Sequence, residues 1–178
     1  MRRLTMLAGA LGAALLMSSG AFAQVPADPN NPNENVPDKY NFTPYGETIK
    51  LADAKKVAEA ALAEATKRGW PMCVAIVGPT GDLVYFEKMD DCQFASIDIS
   101  QAKAKAAARF RRPTVVFERL IAKGQYFAYL PTLGAGFTGS RGGNPLVAGG
   151  KIVGAIGVSG GTGSQDDTIS QAGVAALK

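Results

Sequence analysis

Gly149-Gly150 separates two short apolar runs, Leu146–Ala148 and Lys151–Val158. A pair of glycines between two strand-like runs signals a two-residue hairpin, because both central positions of that turn favour a positive φ. A hairpin commits its strands to antiparallel pairing and excludes a doubly wound parallel sheet in this part of the chain. A second hairpin precedes it. Met72–Gly78 is short and apolar, Pro79-Thr80-Gly81-Asp82 has turn chemistry, and Leu83–Met89 alternates loosely. Pairing centred on that turn sets Cys73 opposite Lys88. Cys92 then falls just past the strand end, so the two sulfurs meet only if the chain curls back.

The remaining regular segments read as helices. In Leu51–Arg68 the residues Leu51, Ala54, Val57, Ala61, Leu62 and Ala65 share one stripe, with Lys55, Lys56, Glu59 and Lys67 elsewhere. Gly69 and Pro71 end it. A second helix is expected over Ser96–Phe110, ending before Pro113. A third, shorter one covers Thr114–Lys123, with Gly124 as its stop. Gln125–Pro145 is irregular, a length that in a compact domain points to function. After the second hairpin, Ser164 and Asp167 have capping-box spacing for a helix to about Leu177. The order is helix, hairpin, two helices, loop, hairpin, helix. We therefore expect an α+β single domain, an antiparallel sheet with helices on one or both faces.

The chain ends bear on location. Arg2 and Arg3, the apolar run Leu4–Met17 and Ala21-Phe22-Ala23 form the pattern of a cleavable secretory leader, residues 1–23. Residues 24–46 carry Pro26, Pro29, Pro32, Pro37 and Pro44 among asparagines and read as an arm, mobile or lying on a neighbouring subunit. Residues 47–178 form the domain. A periplasmic or secreted protein with no membrane span after leader cleavage is expected. Without Arg2 and Arg3 the 19 basic residues fall to 17 against 15 acidic ones, too small an excess for nucleic acid.

There is no histidine. That excludes Ser-His-Asp and Cys-His catalysis, imidazole zinc sites and histidine ligation of haem. Cys73 and Cys92 fit no CxxC motif. In an exported chain they read as a disulfide, and the rival reading is a redox or thiolate-ligand pair.

The glycine-rich stretch GAIGVSGGTGSQDD, residues 154–167, invites a phosphate reading that its details reject. No lysine lies between Lys151 and Lys178, so it is not a P-loop. Asp166 stands where a dinucleotide loop needs its third glycine. Gly157-Val158-Ser159-Gly160-Gly161 spells a nucleophile elbow, but the hairpin context and the lack of a histidine base make the match chance. Two readings remain: the loop binds an anion through free N–H groups, or its glycines permit tight backbone packing.

Together, LADA at 51–54, FEKMDD at 86–91, SIDISQAKAKAAARFRRPT at 96–114 and GGNPLVAGGKIVGAIGVSGGTGSQDD at 142–167 resemble the GlcG/HbpS-like family. The resemblance covers Leu51–Lys178. It implies a profilin-like antiparallel sheet flanked by helices, assembled into symmetric homo-oligomers. Some relatives bind haem or iron and act as accessory sensors. Others sit beside glycolate or diol metabolism, or are fused to cobalamin-processing enzymes. Where haem-binding relatives use an axial histidine, this chain has none, so haem would need Tyr, Met, Cys or Lys on iron, or contacts to ring and propionates alone.

The candidate ligand-binding residues come from three places. Lys103, Arg111 and Arg112, with Lys105 and Arg109, either grip carboxylates or form a solvated helix face. Thr114 either caps the third helix or points into a pocket. Tyr126 and Tyr129, with Phe127, wall a flat ligand or form a local core. Gly142 and Gly143 close that loop, and Ser159 and Asp166 belong to the glycine stretch. Met72 and Met89 read as core filler, and Asp90-Asp91 is a weak cation signal. The leading expectation is an exported oligomer binding a small molecule, haem or another tetrapyrrole, in an accessory or sensing role. The alternatives are a histidine-free enzyme acting on a small carboxylate or aldehyde, and a structural accessory subunit.

Overall fold

The computed structural model describes residues 42–122, 124 and 138–177. Its elements run α1 (Leu51–Arg68), β1 (Cys73–Val77), β2 (Leu83–Lys88), α2 (Ala95–Phe110), α3 (Val115–Ala122), β3 (Gly143–Ala148), β4 (Lys151–Ser159) and α4 (Gly163–Ala176). The four strands form one sheet in the order β2-β1-β4-β3, antiparallel throughout. The two hairpins therefore join through their inner strands, β1 and β4. Cys73 stands opposite Lys88, as the turn-centred register predicts.

Helices cover both faces. Alternation along the strands divides the core accordingly. Met72, Val74, Ile76, Ile156 and Val158 face α1 and α4, where Val57, Ala58, Ala61 and Ile169 meet them. Ala75, Val77 and Ala155 face Ala104, Ala107 and Ala108 of α2. Every residue of β1 is buried as a result. The alanine-rich inner face of α2 lets that helix approach the sheet closely. A Cβ on Gly157 would run into the Ser100 carbonyl and the Ala104 amide of α2. The glycines of β4 are thus a packing requirement before they are anything else.

Two expected boundaries shift. β3 begins at Gly143 rather than Leu146 and takes in Pro145, paired with Ala155. Proline is accommodated because β3 is an edge strand, where a missing ladder donor costs little. α4 is capped two residues earlier than Ser164. Thr162 accepts from the Gln165 amide, and the Gln165 side chain accepts from the Thr162 amide, which completes the capping box. Asp167 instead accepts from Asn144 Nδ2 at 3.0 Å.

The described end of the proline-rich arm lies on its own sheet. β1 ends with Val77 opposite Ala155, and the arm takes the place beside β4 beyond that point. Ile152 donates to the Pro44 carbonyl, Gly46 donates to Ile152, and Ile49 donates to Val153, each at 2.8 Å.

Candidate functional site

The ten candidate ligand residues separate into groups. Lys103, Thr114, Gly142, Gly143 and Asp166 come together where α2, the start of α3, the start of β3 and the first turn of α4 converge. Lys103 is on the sheet-facing side of α2 and only 1% exposed. Its ammonium donates to Asp166 Oδ2 at 2.6 Å and to the Val158 carbonyl at 3.1 Å. Asp166 Oδ1 accepts from the Gly161 amide at 2.9 Å. Burial pushes the Asp166 carboxyl above its usual range, against the lowering effect of Lys103 and the amides of Gly161 and Gly160.

Gly142 and Gly143 make this closeness possible. A Cβ on Gly142, whose φ is +111°, would lie 2.7 Å from Asp166 Cβ and 3.2 Å from Lys103 Nζ. Gly143 passes over the Lys103 carbonyl, leaving no room for a side chain. Thr114 locks the crossing: Gly143 donates to its Oγ1 at 2.9 Å, and its own amide donates to the Gly143 carbonyl at 2.9 Å. Its hydroxyl is thus engaged with Gly143. Its carbonyl still receives the first helical bonds, from Phe117 and Glu118.

Ser159 lies just beyond, in a separate polar cluster. Its Oγ is 2.9 Å from Ser96 Oγ, and its carbonyl accepts from Cys92 Sγ at 3.7 Å. No base adjoins it among these partners, in keeping with the chance reading of the elbow letters. Arg111 and Arg112 point elsewhere. Arg111 adopts a left-handed conformation at the α2 C-terminus. Its guanidinium lies 4.2 Å from the Phe42 ring centroid and 4.9 Å from that of Tyr45. The Tyr45 hydroxyl donates to the Arg109 carbonyl at 2.8 Å. Arg112 Nε donates to Phe110. Tyr126 and Tyr129 lie outside the described residues.

Sequence reasoning missed three residues of this region. Glu118 of α3 takes the Arg141 amide at 2.9 Å and Arg141 Nε at 2.7 Å, and the Arg141 stem lies against Gly163 at the start of α4. The guanidinium holds the Glu118 carboxyl below its ordinary value. Asn144 donates to Ser170 and Asp167 and accepts from Gln171, tying β3 to α4. The Asn-Pro step within an apolar run was the available signal, since a buried asparagine must find partners.

Chemically, the described arrangement is a positioning device. The ion pair is closed to solvent, and its ammonium is held by Asp166 and the Val158 carbonyl. Among the described residues, no group of three or more Cys, Asp and Glu side chains is placed to hold a metal ion. No described helix is long and apolar enough to cross a membrane.

Residues 49–175 match the family model described as "Haem degrading protein HbpS-like". The chain belongs to this family. It is 38% identical to Protein GlcG of Escherichia coli strain K12 over 107 residues, 60% of this chain and 77% of that protein. The crystal structure of HbpS matches with a TM-score of 0.67 at 29% identity, covering 75% of this chain and 92% of that one. The crystal structure of a PduOC:haem complex matches with a TM-score of 0.68 at 26% identity, covering 74% and 96%. The sheet and helices described above are the fold of this family.

Proposed function

We propose that this HbpS-like protein binds haem or a related tetrapyrrole, as an exported homo-oligomer with an accessory or sensing role. The observation that carries the reading is the likeness in fold to PduOC, whose structure was solved with haem. The leader-like first 23 residues support export.

The residues of this chain fit the periphery of the group better than its centre. Arg112 is a partly exposed cation of the type that pairs propionates; Arg111 and Arg141 are partly exposed as well, and are engaged with Phe42 and Tyr45 and with Glu118. An axial ligand is harder to supply. The chain has no histidine. Among the described residues, buried Lys103 is bonded to Asp166 and buried Cys73 to Cys92, and the half-buried Met89 Sδ accepts from the Met72 amide. Tyr126 and Tyr129, in the segment between α3 and β3, are the tyrosines we assign to the ligand. Haem, when bound, supplies a redox-active iron; the chain supplies cations of the type that pairs carboxylates.

Titrating the purified protein with haemin, followed by absorbance, tests this. A saturable Soret shift that is weakened in Tyr126→Phe or Tyr129→Phe is expected. A featureless, non-saturating curve would reject haem as the specific ligand.

A further inference from the structure

Cys73 and Cys92 are both buried, and their sulfurs face each other at 2.7 Å. Several local features bring them there. The Met89 amide donates to the Met72 carbonyl, extending the β1–β2 ladder one step past Lys88. Asp91 then takes a left-handed conformation, φ +62°, and the Cys92 amide donates back to Met89. This tight turn folds the chain over the start of β1. The neighbours of the sulfur pair, Ser159 and Ser96, hydrogen-bond to each other. They leave the thiols only long contacts from Cys92 Sγ to the carbonyls of Ser159 and Gln93, 3.7 and 3.8 Å.

We propose that Cys73 and Cys92 form an intramolecular disulfide that staples the start of β1 to the segment entering α2. The redox and metal alternatives fit this environment poorly. A thiolate is the species that exchanges or ligates, and burial pushes the Cys73 thiol up to about 12, aided by its hydrogen bond to Cys92. The bond therefore forms while the chain is still open. One thiolate attacks a disulfide oxidant, giving a mixed disulfide and one reduced thiol of the oxidant. The second thiolate then displaces the other oxidant thiol, so two protons and two electrons leave the protein in all. Once the domain closes, the bond is shielded from reductants. Because β4 ends at Ser159, opposite Cys73, and leads into the glycine turn that holds Asp166, the staple also ties the α2 entry to the Lys103–Asp166 region.

The test is refolding of the reduced, denatured protein with oxidised glutathione, then alkylation by a maleimide under denaturing conditions. No label without reductant and two labels per chain after reduction are expected, on a band that migrates as monomer. Refolded Cys73→Ser, treated alike, should leave Cys92 open to labelling or to a single glutathione adduct. Native protein should resist reduction until denaturant is added. Two labels without prior reduction, or a covalent dimer, would overturn the proposal. Since refolding supplies its own oxidant and no haem, failure of the exported or haem-binding reading is read separately from failure of this one.

Discussion

Lys103 Nζ lies 2.6 Å from Asp166 Oδ2, joining residues 63 positions apart in a setting that leaves their side chains 1% and 4% exposed. The contact holds the first turn of α4 and the glycine turn before it against α2. An ion pair so enclosed carries the cost of desolvating both charges. Their attraction and the bonds to the Val158 carbonyl and Gly161 amide offset part of that cost.

Removing one partner leaves the other charge buried and unpaired. Lys103→Met and Asp166→Asn should each lose about 3–5 kcal/mol of stability, and the double variant less than either alone. Urea unfolding of the three variants measures the coupling. Simple additivity would show that the two groups act independently.

Gly157 is where α2 rests on the sheet. Gly157→Ala should cost about 3 kcal/mol, because backbone rather than a flexible side chain blocks the added methyl. Gly149→Asn sits in the β3–β4 turn, where an added Cβ meets nothing, and should stay within about 0.5 kcal/mol. Thermal unfolding of the pair separates close packing from glycine content as such.

The Glu118–Arg141 pair gives an acid signature. The folded-state pKa of Glu118 lies below its ordinary 4.5, with the Arg141 hydrogen bond as the first cause. Its contribution is therefore present above pH 4.5 and is lost as pH falls through the lowered value. Glu118→Gln should be less stable than the parent at pH 7, with the difference shrinking below pH 4.5. Denaturation at pH 7, 5 and 3 checks the sign.

Arg111 clasps the arm. Tyr45→Phe loses the bond to Arg109, worth about 1 kcal/mol, and Arg111→Ala loses two aromatic contacts, each worth about 0.5–1 kcal/mol. Both should speed hydrogen exchange at the Gly46 and Ile49 amides, which bond to β4. If Arg111→Ala weakened haemin binding and left those amides protected, Arg111 would belong to the ligand rather than to the arm.

Local patterns carried much of the fold. Most of the stripe in α1, its Gly69 stop and both hairpins are written at spacings of two to four residues, where propensity and turn chemistry act directly; Leu51 proved exposed and Ala58 joined the buried face. The family resemblance rested on similarly continuous stretches. The errors fell where neighbouring residues offered equal choices. Thr162-Gly163-Ser164-Gln165-Asp166-Asp167 contains two overlapping capping patterns, and Asp167 was drawn off by Asn144, a residue of another element.

The sequence by itself determined the antiparallel hairpins, the helices, the lack of histidine and hence the classes of chemistry closed to this protein. Only the tertiary structure decided which side chains meet. It paired Lys103 with Asp166, turned Thr114 onto Gly143, set Arg111 over Phe42 and brought Cys92 onto Cys73. Those partners belong to different elements, and their contacts follow from helices packing onto a twisted sheet, which no short sequence window encodes. Buried polar groups must then find partners among whatever that packing brings close.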